Sequence, residues 1–551
     1  MHETVTLSLS HSANHVTTHL YNNQESHISY RKGQSTGYDN TVYLAANPTY
    51  QGTINYNPRA ILYELNGGSG ALGKYEYYDP EIIGAKQQEQ EEIGNNNSIE
   101  IIKSPTKVEK NQYQIALDSG KVKGGLLTVE NTKYWSDYNK LIYKPKSLNS
   151  LTNWNHDPQN DLGFNKHGKE RKFDTFHIGS EEYKQGKDNN EDEDSIELFR
   201  SFLEECDLFQ GMNILTEVDS AWGGFSNEYL TELKDEYFNN GDSKYSFWIW
   251  GLYNCKKPMD FKLKNSRIKT TLELLKNSTL YFPIADPNIN LKNNTILNDK
   301  FDNKSLWHSS ALKSLPIDSL WTITSRLDNP IGMSQIEDDL LRGYKSRNMV
   351  SEIKLVDPSS SDQTGANNVL ASGIGNILID TSSSSGSPYD LYANATAFSD
   401  SMVPKNEEKS VQYTQPLYEK LDGKYFAKTY IVPTEVNADL ELMNVEQSKL
   451  QNRFPINEYK SVKSSIATNY TFPDILNNQT SIVNEFGICS KPRALFKDYK
   501  KFLERSSRIT SRAYSYDVDL DDQSSLIEEA NNMIEDYTYE WDDDEDEEDW
   551  D

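Results

Sequence analysis

Two parts of this chain bring together residue types that could bind a ligand. The first is the turn Asp219-Ser220-Ala221-Trp222-Gly223-Gly224-Phe225, which follows the strand-like run Met212–Val218 and precedes an amphipathic segment bearing Leu230, Leu233 and Tyr237. A turn leaving a strand's carboxyl end for a helix amino end presents free N–H groups and a positive dipole, a place for an anion such as phosphate. A plainer reading is that Gly223 and Gly224 only allow a tight turn. The second is the amino-terminal series His11, His15 and His19, spaced by four residues. Two imidazoles on one helix face are half of a metal site. No Glu follows His15 directly and no further ligand is evident, so no metal is assigned.

These residues need elements to hold them. Asp194 to Leu252 reads as helix, strand, glycine turn, helix and strand, with Phe199, Phe202, Leu203 and Cys206 on a buried helix face and Gly211 ending that helix. Tyr245–Trp250 is the next strand, completing a β-α-β unit. Upstream, Thr4–Leu9 alternates as a strand and leads into a helix carrying Val16 and Leu20. Ala60–Leu65 is a second strand, closed by the turn Asn66-Gly67-Gly68-Ser69-Gly70. Several strands thus end in turns able to face one crevice, where open α/β sheets bind ligands.

The remainder is less regular. Residues of about 81–110 form a Gln-, Glu- and Asn-rich solvated insertion, and 184–193 is a second polar loop. Ile268–Leu275 reads as helix. Leu280–Ile284, Ile353–Val356, Asn376–Ile379 and Tyr425–Val432 read as strands, and Thr381–Pro388 as a serine-rich loop. Ala494–Arg508 is an amphipathic helix with Leu495, Phe496, Tyr499, Phe502 and Leu503 facing inward. The segment 513–551 reads as an acidic disordered tail, apart from a short helix near Leu526–Ile534.

Bulk properties exclude several classes. Ala513–Asp551 carries 18 acidic residues and no Lys or Arg, so of the formal net charge of −28 only −10 is left to the other 512 residues. No basic stripe is present to hold nucleic acid directly. Three cysteines, Cys206, Cys255 and Cys489, suit a reducing compartment rather than a disulfide framework. The amino end has Glu3 and no Arg before Arg31, unlike a secretory signal or a transit peptide. No apolar run is long enough to span a bilayer. There is no G-x-x-x-x-G-K-[ST] loop, which disfavours an ordinary P-loop GTPase.

The order of segments resembles tubulin, and more closely the Misato family of tubulin-like proteins. The resemblance is carried by the opening Met1-His2-Glu3, by Ala13-Asn14-His15, by Asn22-x-Gln24-Glu25-Ser26 and by Pro58–Leu65. It is carried further by Glu205-Cys206-Asp207 and by Thr216-x-x-Asp219-Ser220-x-Trp222-Gly223-Gly224-Phe225. It covers the first half well and the second half loosely. The resemblance implies a Rossmann-type α/β domain over 1–270, an α+β domain over 271–512 and the acidic tail. It implies a pocket for GTP or GDP lined by His11, Asn14, Glu64, Asn66, Gly68, Asp219, Gly223 and Gly224. It further implies a role in partitioning of mitochondria and inheritance of mitochondrial DNA. The place would be the cytosolic face of the mitochondrion, with a cytoplasmic pool, and the partners cytoskeletal, chaperonin or mitochondrial outer-surface proteins.

The departures from tubulin point away from catalysis. Asp219 and Trp222 stand at the glycine-rich phosphate loop, Ser10 and Ala13 where the first loop has glycines, His11 where it has glutamine, and Asn66 where it has a second carboxylate. The carboxylate loop that activates water has no match; Ser314-Leu315-Pro316-Ile317-Asp318 is the nearest stretch. A non-catalytic scaffold is therefore expected, with an active, polymerising tubulin-type GTPase as the rival.

Overall fold

The computed structural model describes residues 2–29, 36–48, 54–72, 108–122, 124–157, 160–189, 195–238, 245–254, 261–285, 297–356, 425–433, 455–461, 469–477, 482–509 and 520–538. In chain order the first part runs β1 (Glu3–Leu9), α1 (His11–Ser26), β2 (Leu44–Pro48), β3 (Ile54–Pro58), β4 (Ala60–Asn66) and α2 (Gln112–Asp118). Then come β5 (Leu148–Asp157), β6 (Asn160–Asn165), β7 (Gly168–Lys172), α3 (Phe176–Asn189), α4 (Ser195–Leu203), β8 (Phe209–Glu217), α5 (Trp222–Leu233), β9 (Ser246–Tyr253), α6 (Phe261–Asn277) and β10 (Leu280–Ala285).

Eight of these strands form one sheet in the order β10-β9-β8-β1-β4-β5-β6-β7. The pairings from β10 to β5 are all parallel, and β6 and β7 add an antiparallel edge. Strands β1, β9 and β10 are buried along their whole length. This fits runs such as Phe247-Trp248-Ile249-Trp250, since a parallel strand covered on both faces has no polar side. The expected β-α-β unit is β8-α5-β9. Gly211, expected to end a helix, lies inside β8, where a Cβ would come within 2.2 Å of the Ser246 carbonyl oxygen on β9. The helix before it stops earlier, at Leu203, and leaves Cys206 half-buried beyond its end.

The second part consists of α7 (Leu306–Thr324), α8 (Met333–Leu341), β11 (Glu352–Val356), β12 (Tyr425–Pro433), β13 (Ile456–Ser461), β14 (Val483–Cys489), α9 (Pro492–Ile509) and α10 (Leu520–Asp536). Its sheet has the order β11-β14-β12-β13. A cut at residue 270 falls inside α6, and β10 extends the first sheet beyond it. The two parts are joined where Val350 N–H donates to the Tyr281 carbonyl and Tyr281 N–H to that of Asn348.

The stretch after residue 512 is not simply a tail. Helix α10 packs on α9, burying Leu526, Ala530 and, just past its end, Tyr537. The Tyr537 hydroxyl accepts from Met349 N–H at 2.9 Å. The insertion at 81–107, Asn376–Ile379, Thr381–Pro388 and the terminal acidic run lie outside the described residues.

Candidate functional site

Helix α1 begins directly after β1, and β4 lies beside β1, so the start of α1 faces the end of β4. Ser10 caps α1, its hydroxyl accepting from Ala13 N–H at 3.0 Å. Its backbone has φ 135° and ψ 165°, a conformation that glycine adopts freely and other residues do not. This is a position at which tubulin carries glycine.

Glu64, fully buried near the end of β4, is the centre of the site. Its Oε2 accepts from Asn14 Nδ2 at 3.1 Å and from Trp135 Nε1 at 3.1 Å, and lies 3.0 Å from His11 Nδ1. Its Oε1 accepts from Leu65 N–H at 3.0 Å. Gly68 lies against this carboxylate, and a Cβ there would come within 2.5 Å of Oε1. Asn14 is itself fixed by Ser8, whose hydroxyl donates to Oδ1, and by donation to the Tyr63 carbonyl. His156, on β5, brings its ring centroid to 4.2 Å from that of His11.

The charges in this cluster are coupled. Burial works to lower the His11 pKa, but the charge and hydrogen bond of Glu64 outweigh it and the net shift is upward. Burial correspondingly raises Glu64, and His11 reverses this to a net lowering. His15 next to them is held well below its ordinary value, by burial first and then by the neighbouring imidazoles.

Four of the sequence-predicted site residues therefore meet: His11, Asn14, Glu64 and Gly68. Asn66 sits one strand across from His156's neighbour, donating to Asn155 Oδ1 at 3.0 Å. Asp219, Gly223 and Gly224 are engaged elsewhere. Arg267 from α6 grips Asp219 with two bonds, Nε to Oδ1 at 2.5 Å and NH2 to Oδ2 at 2.7 Å, while Asn254 N–H donates to Oδ2 at 2.6 Å. The carboxylate expected to line the nucleotide pocket is thus neutralised within the chain.

Gly223 and Gly224 lie in the first turn of α5, and neither has a positive φ. A Cβ on Gly224 would come within 1.9 Å of the Phe176 carbonyl oxygen on α3, and one on Gly223 within 2.4 Å of Thr270 Cγ2 on α6. They allow helices to approach closely, a role different from both the phosphate loop and the tight turn. Several N–H groups at this helix start are also spent inside the chain: Ala221 on the Phe173 carbonyl, Gly223 on Ser220 and Phe225 on Ala221.

The nearest stretch to a catalytic loop is likewise internal. Ser314–Asp318 lies within α7, and buried Asp318 Oδ1 accepts from Asn23 Nδ2 of α1 at 2.5 Å. A carboxylate used to lock α7 onto α1 is not available to a neighbouring molecule. The His15–His19 pair does not form a metal half-site either. His19 Nε2 lies 3.1 Å from the Trp307 carbonyl, and His15 Nδ1 lies 2.8 Å from the Tyr138 hydroxyl.

Comparison with known proteins agrees with this architecture. Residues 2–119 match the Misato Segment II tubulin-like domain, and residues 125–327 match the Tubulin domain. The chain is 38% identical to Protein DML1 of Debaryomyces hansenii, covering 99% of both chains. The chain belongs to the Misato family. Two further relatives, also named Protein DML1, support the assignment along the full length. That of Scheffersomyces stipitis is 35% identical over 98% of this chain and 97% of its own. That of Candida albicans is 32% identical over 99% of this chain and all of its own.

For a Misato-family protein the tubulin ancestry poses the question of guanine nucleotide, and the residues present fit it poorly. At the start of α1, Glu64 lies on one side and Glu217, bonded to the Ser12 hydroxyl, on the other. A polyphosphate there would meet two carboxylates. At the start of α5 the N–H groups of Ala221, Gly223 and Phe225 are spent inside the chain. Trp135 and His156 were missed in the sequence because only the β4–β5 pairing and the fold of the intervening chain bring them to Glu64. No local spacing announces either.

Proposed function

We propose that this chain is a tubulin-fold scaffold in the partitioning of mitochondria and the inheritance of mitochondrial DNA. It does not hydrolyse GTP, and it holds GTP or GDP weakly at best. The observation that carries the non-catalytic reading is that the residues at or nearest to tubulin's phosphate and catalytic loops serve the chain's own packing: Asp219 on Arg267, Gly224 against Phe176, Asp318 on Asn23. A hydrolytic site needs a positioned water and a stabilised transferring phosphoryl group, and both require those groups to face the ligand.

The scaffold acts by docking proteins of the cytoskeleton, of a chaperonin or of the mitochondrial outer surface, and it has no direct contact with DNA. Among the described residues no helix is long and apolar enough to cross a membrane, which favours attachment through a protein partner. Two assays test the reading. Depletion of the chain should give unevenly distributed mitochondria and loss of mitochondrial DNA, and normal inheritance would contradict the role. Sedimentation with and without GTP should give the same soluble fraction, and a GTP-dependent pellet would contradict the scaffold.

A further inference from the structure

Where α1 meets β4 and β5, three groups of the kind that ligate metals stand together. His11 Nδ1 lies 3.0 Å from Glu64 Oε2, and His11 Nε2 lies 3.3 Å from His15 Nε2. An imidazole nitrogen facing a buried carboxylate suits a cation between them, either the proton of an imidazolium or a metal ion.

The surroundings favour the metal. The ligand atoms of His11, Glu64 and His156 all lie within 4.8 Å of one another. Tetrahedral zinc with bonds of about 2.0–2.1 Å needs its ligand atoms roughly 3.3 Å apart, so His156 would close on the His11–Glu64 pair by up to about 1.5 Å when the ion binds. The outer shell already has the form that metal sites use. The far nitrogen of His11 meets His15 Nε2 at 3.3 Å, and Asn14 and Trp135 hold the carboxylate. Gly68 keeps the space that the carboxylate fills. His156 is only partly buried, so this side of the cluster reaches towards solvent.

We propose that His11, Glu64 and His156 form a binding site for one divalent zinc-class ion, joining α1, β4 and β5. The ion competes with protons for its imidazole and carboxylate ligands, so binding weakens as pH falls. Its place in the fold is structural. It ties the start of α1 to two neighbouring strands of the large sheet.

The test uses the full-length chain, stripped with a chelator, freed of nucleotide and titrated with Zn²⁺ alone. Wild type should bind one equivalent saturably, and Co²⁺ in its place should show the visible absorption of a tetrahedral site. His156→Ala, on the partly exposed side of the cluster, should keep the fold and weaken Zn²⁺ binding on the order of 100-fold. Gly68→Ala should weaken it by displacing Glu64. His177→Ala, which removes an exposed imidazole paired with Glu181 at 3.1 Å, should leave it unchanged. Folded wild type without saturable Zn²⁺ binding would overturn the proposal, as would binding indifferent to His156→Ala. A GTP-dependent pellet, by contrast, would contradict the scaffold and leave the zinc result standing.

Discussion

Ser10 is the residue at which the tubulin-like backbone and the present side chains disagree most plainly. Its φ of 135° belongs to a region that costs a non-glycine residue about 1–3 kcal/mol. The cap it provides to Ala13 N–H is only a few tenths of a kcal/mol better than glycine's. Ser10→Gly should therefore stabilise the protein by about 1 kcal/mol, read as a higher denaturation midpoint. A destabilised variant would mean that the serine hydroxyl does more than cap. Asp219 gives a prediction of opposite sign. Arg267 is almost fully buried, and Arg267→Ala would leave the Asp219 carboxylate without its charge partner. We expect a loss of about 3 kcal/mol, checked by denaturant titration. The histidines set a pH dependence. Burial holds His19 at about 3 and His27 at about 4, both below the 6.5 of an unfolded chain. Their contribution is complete above pH 6.5 and is lost as pH falls towards 4, at about 1.4 kcal/mol per pH unit for each. His11, shifted upward, runs the other way, its contribution complete below 6.5 and lost as pH rises through its folded value. Stability should fall steeply from pH 6.5 to 4 in urea melts, and a flat profile would contradict the buried neutral state. At this scale the family resemblance grouped His11, Asn14, Glu64 and Gly68, and the fold does bring these four together. It could not reveal Trp135 or His156, which come from distant segments, nor Arg267 as the partner that turns Asp219 inward.

At the level of elements, the helix packing around α5 decides what its glycines are for. Gly179 on α3 and Gly224 on α5 are reciprocal: a Cβ on the first would meet the Ala221 carbonyl oxygen at 1.7 Å, and one on the second the Phe176 carbonyl oxygen at 1.9 Å. Backbone cannot yield as a side-chain tip can, so Gly224→Ala must push α3 and α5 apart. We expect a loss of about 3 kcal/mol or more, the same with and without added GTP. A variant of normal stability that merely lost nucleotide would show instead a phosphate loop. Helix α10 offers a second test. Tyr537 is buried against Phe426 and Phe496, with its hydroxyl on Met349. Tyr537→Ala should cost about 3–5 kcal/mol, and ending the chain at residue 512 should expose the same surface of α9. Strands such as β9 and β10 were legible because their apolar runs are uninterrupted. Helix α10 was partly hidden by its acidic composition, which resembles a solvated tail although Leu526, Ala530 and Tyr537 face inward. Gly211 misled for a related reason. A glycine after a helical pattern looks like a terminator, whereas here it permits close contact between two strands.

Across the whole molecule the tubulin-like plan is kept, and on the proposed reading its chemical use has changed. The large parallel-rich sheet still aims the ends of β1, β4 and β8 at one side, the geometry that suits nucleotide in open α/β proteins. Around those ends, carboxylates and imidazoles are tied to one another, to α1 or to α6, so the crevice contributes to cohesion of the fold. The interface between the two parts is equally committed, with α7 locked to α1 through Asp318 and Asn23. On the proposed reading the crevice no longer couples a nucleotide to assembly, and surface contacts with partners carry the function. The most direct measurement of this claim is the nucleotide content of the purified full-length protein, read by denaturing it and analysing the released bases. The account predicts far less than one guanine nucleotide per chain, with no change on addition of GTP and magnesium followed by gel filtration. Near-stoichiometric GTP or GDP carried through purification would contradict it, and would show that the remodelled turns still hold phosphate.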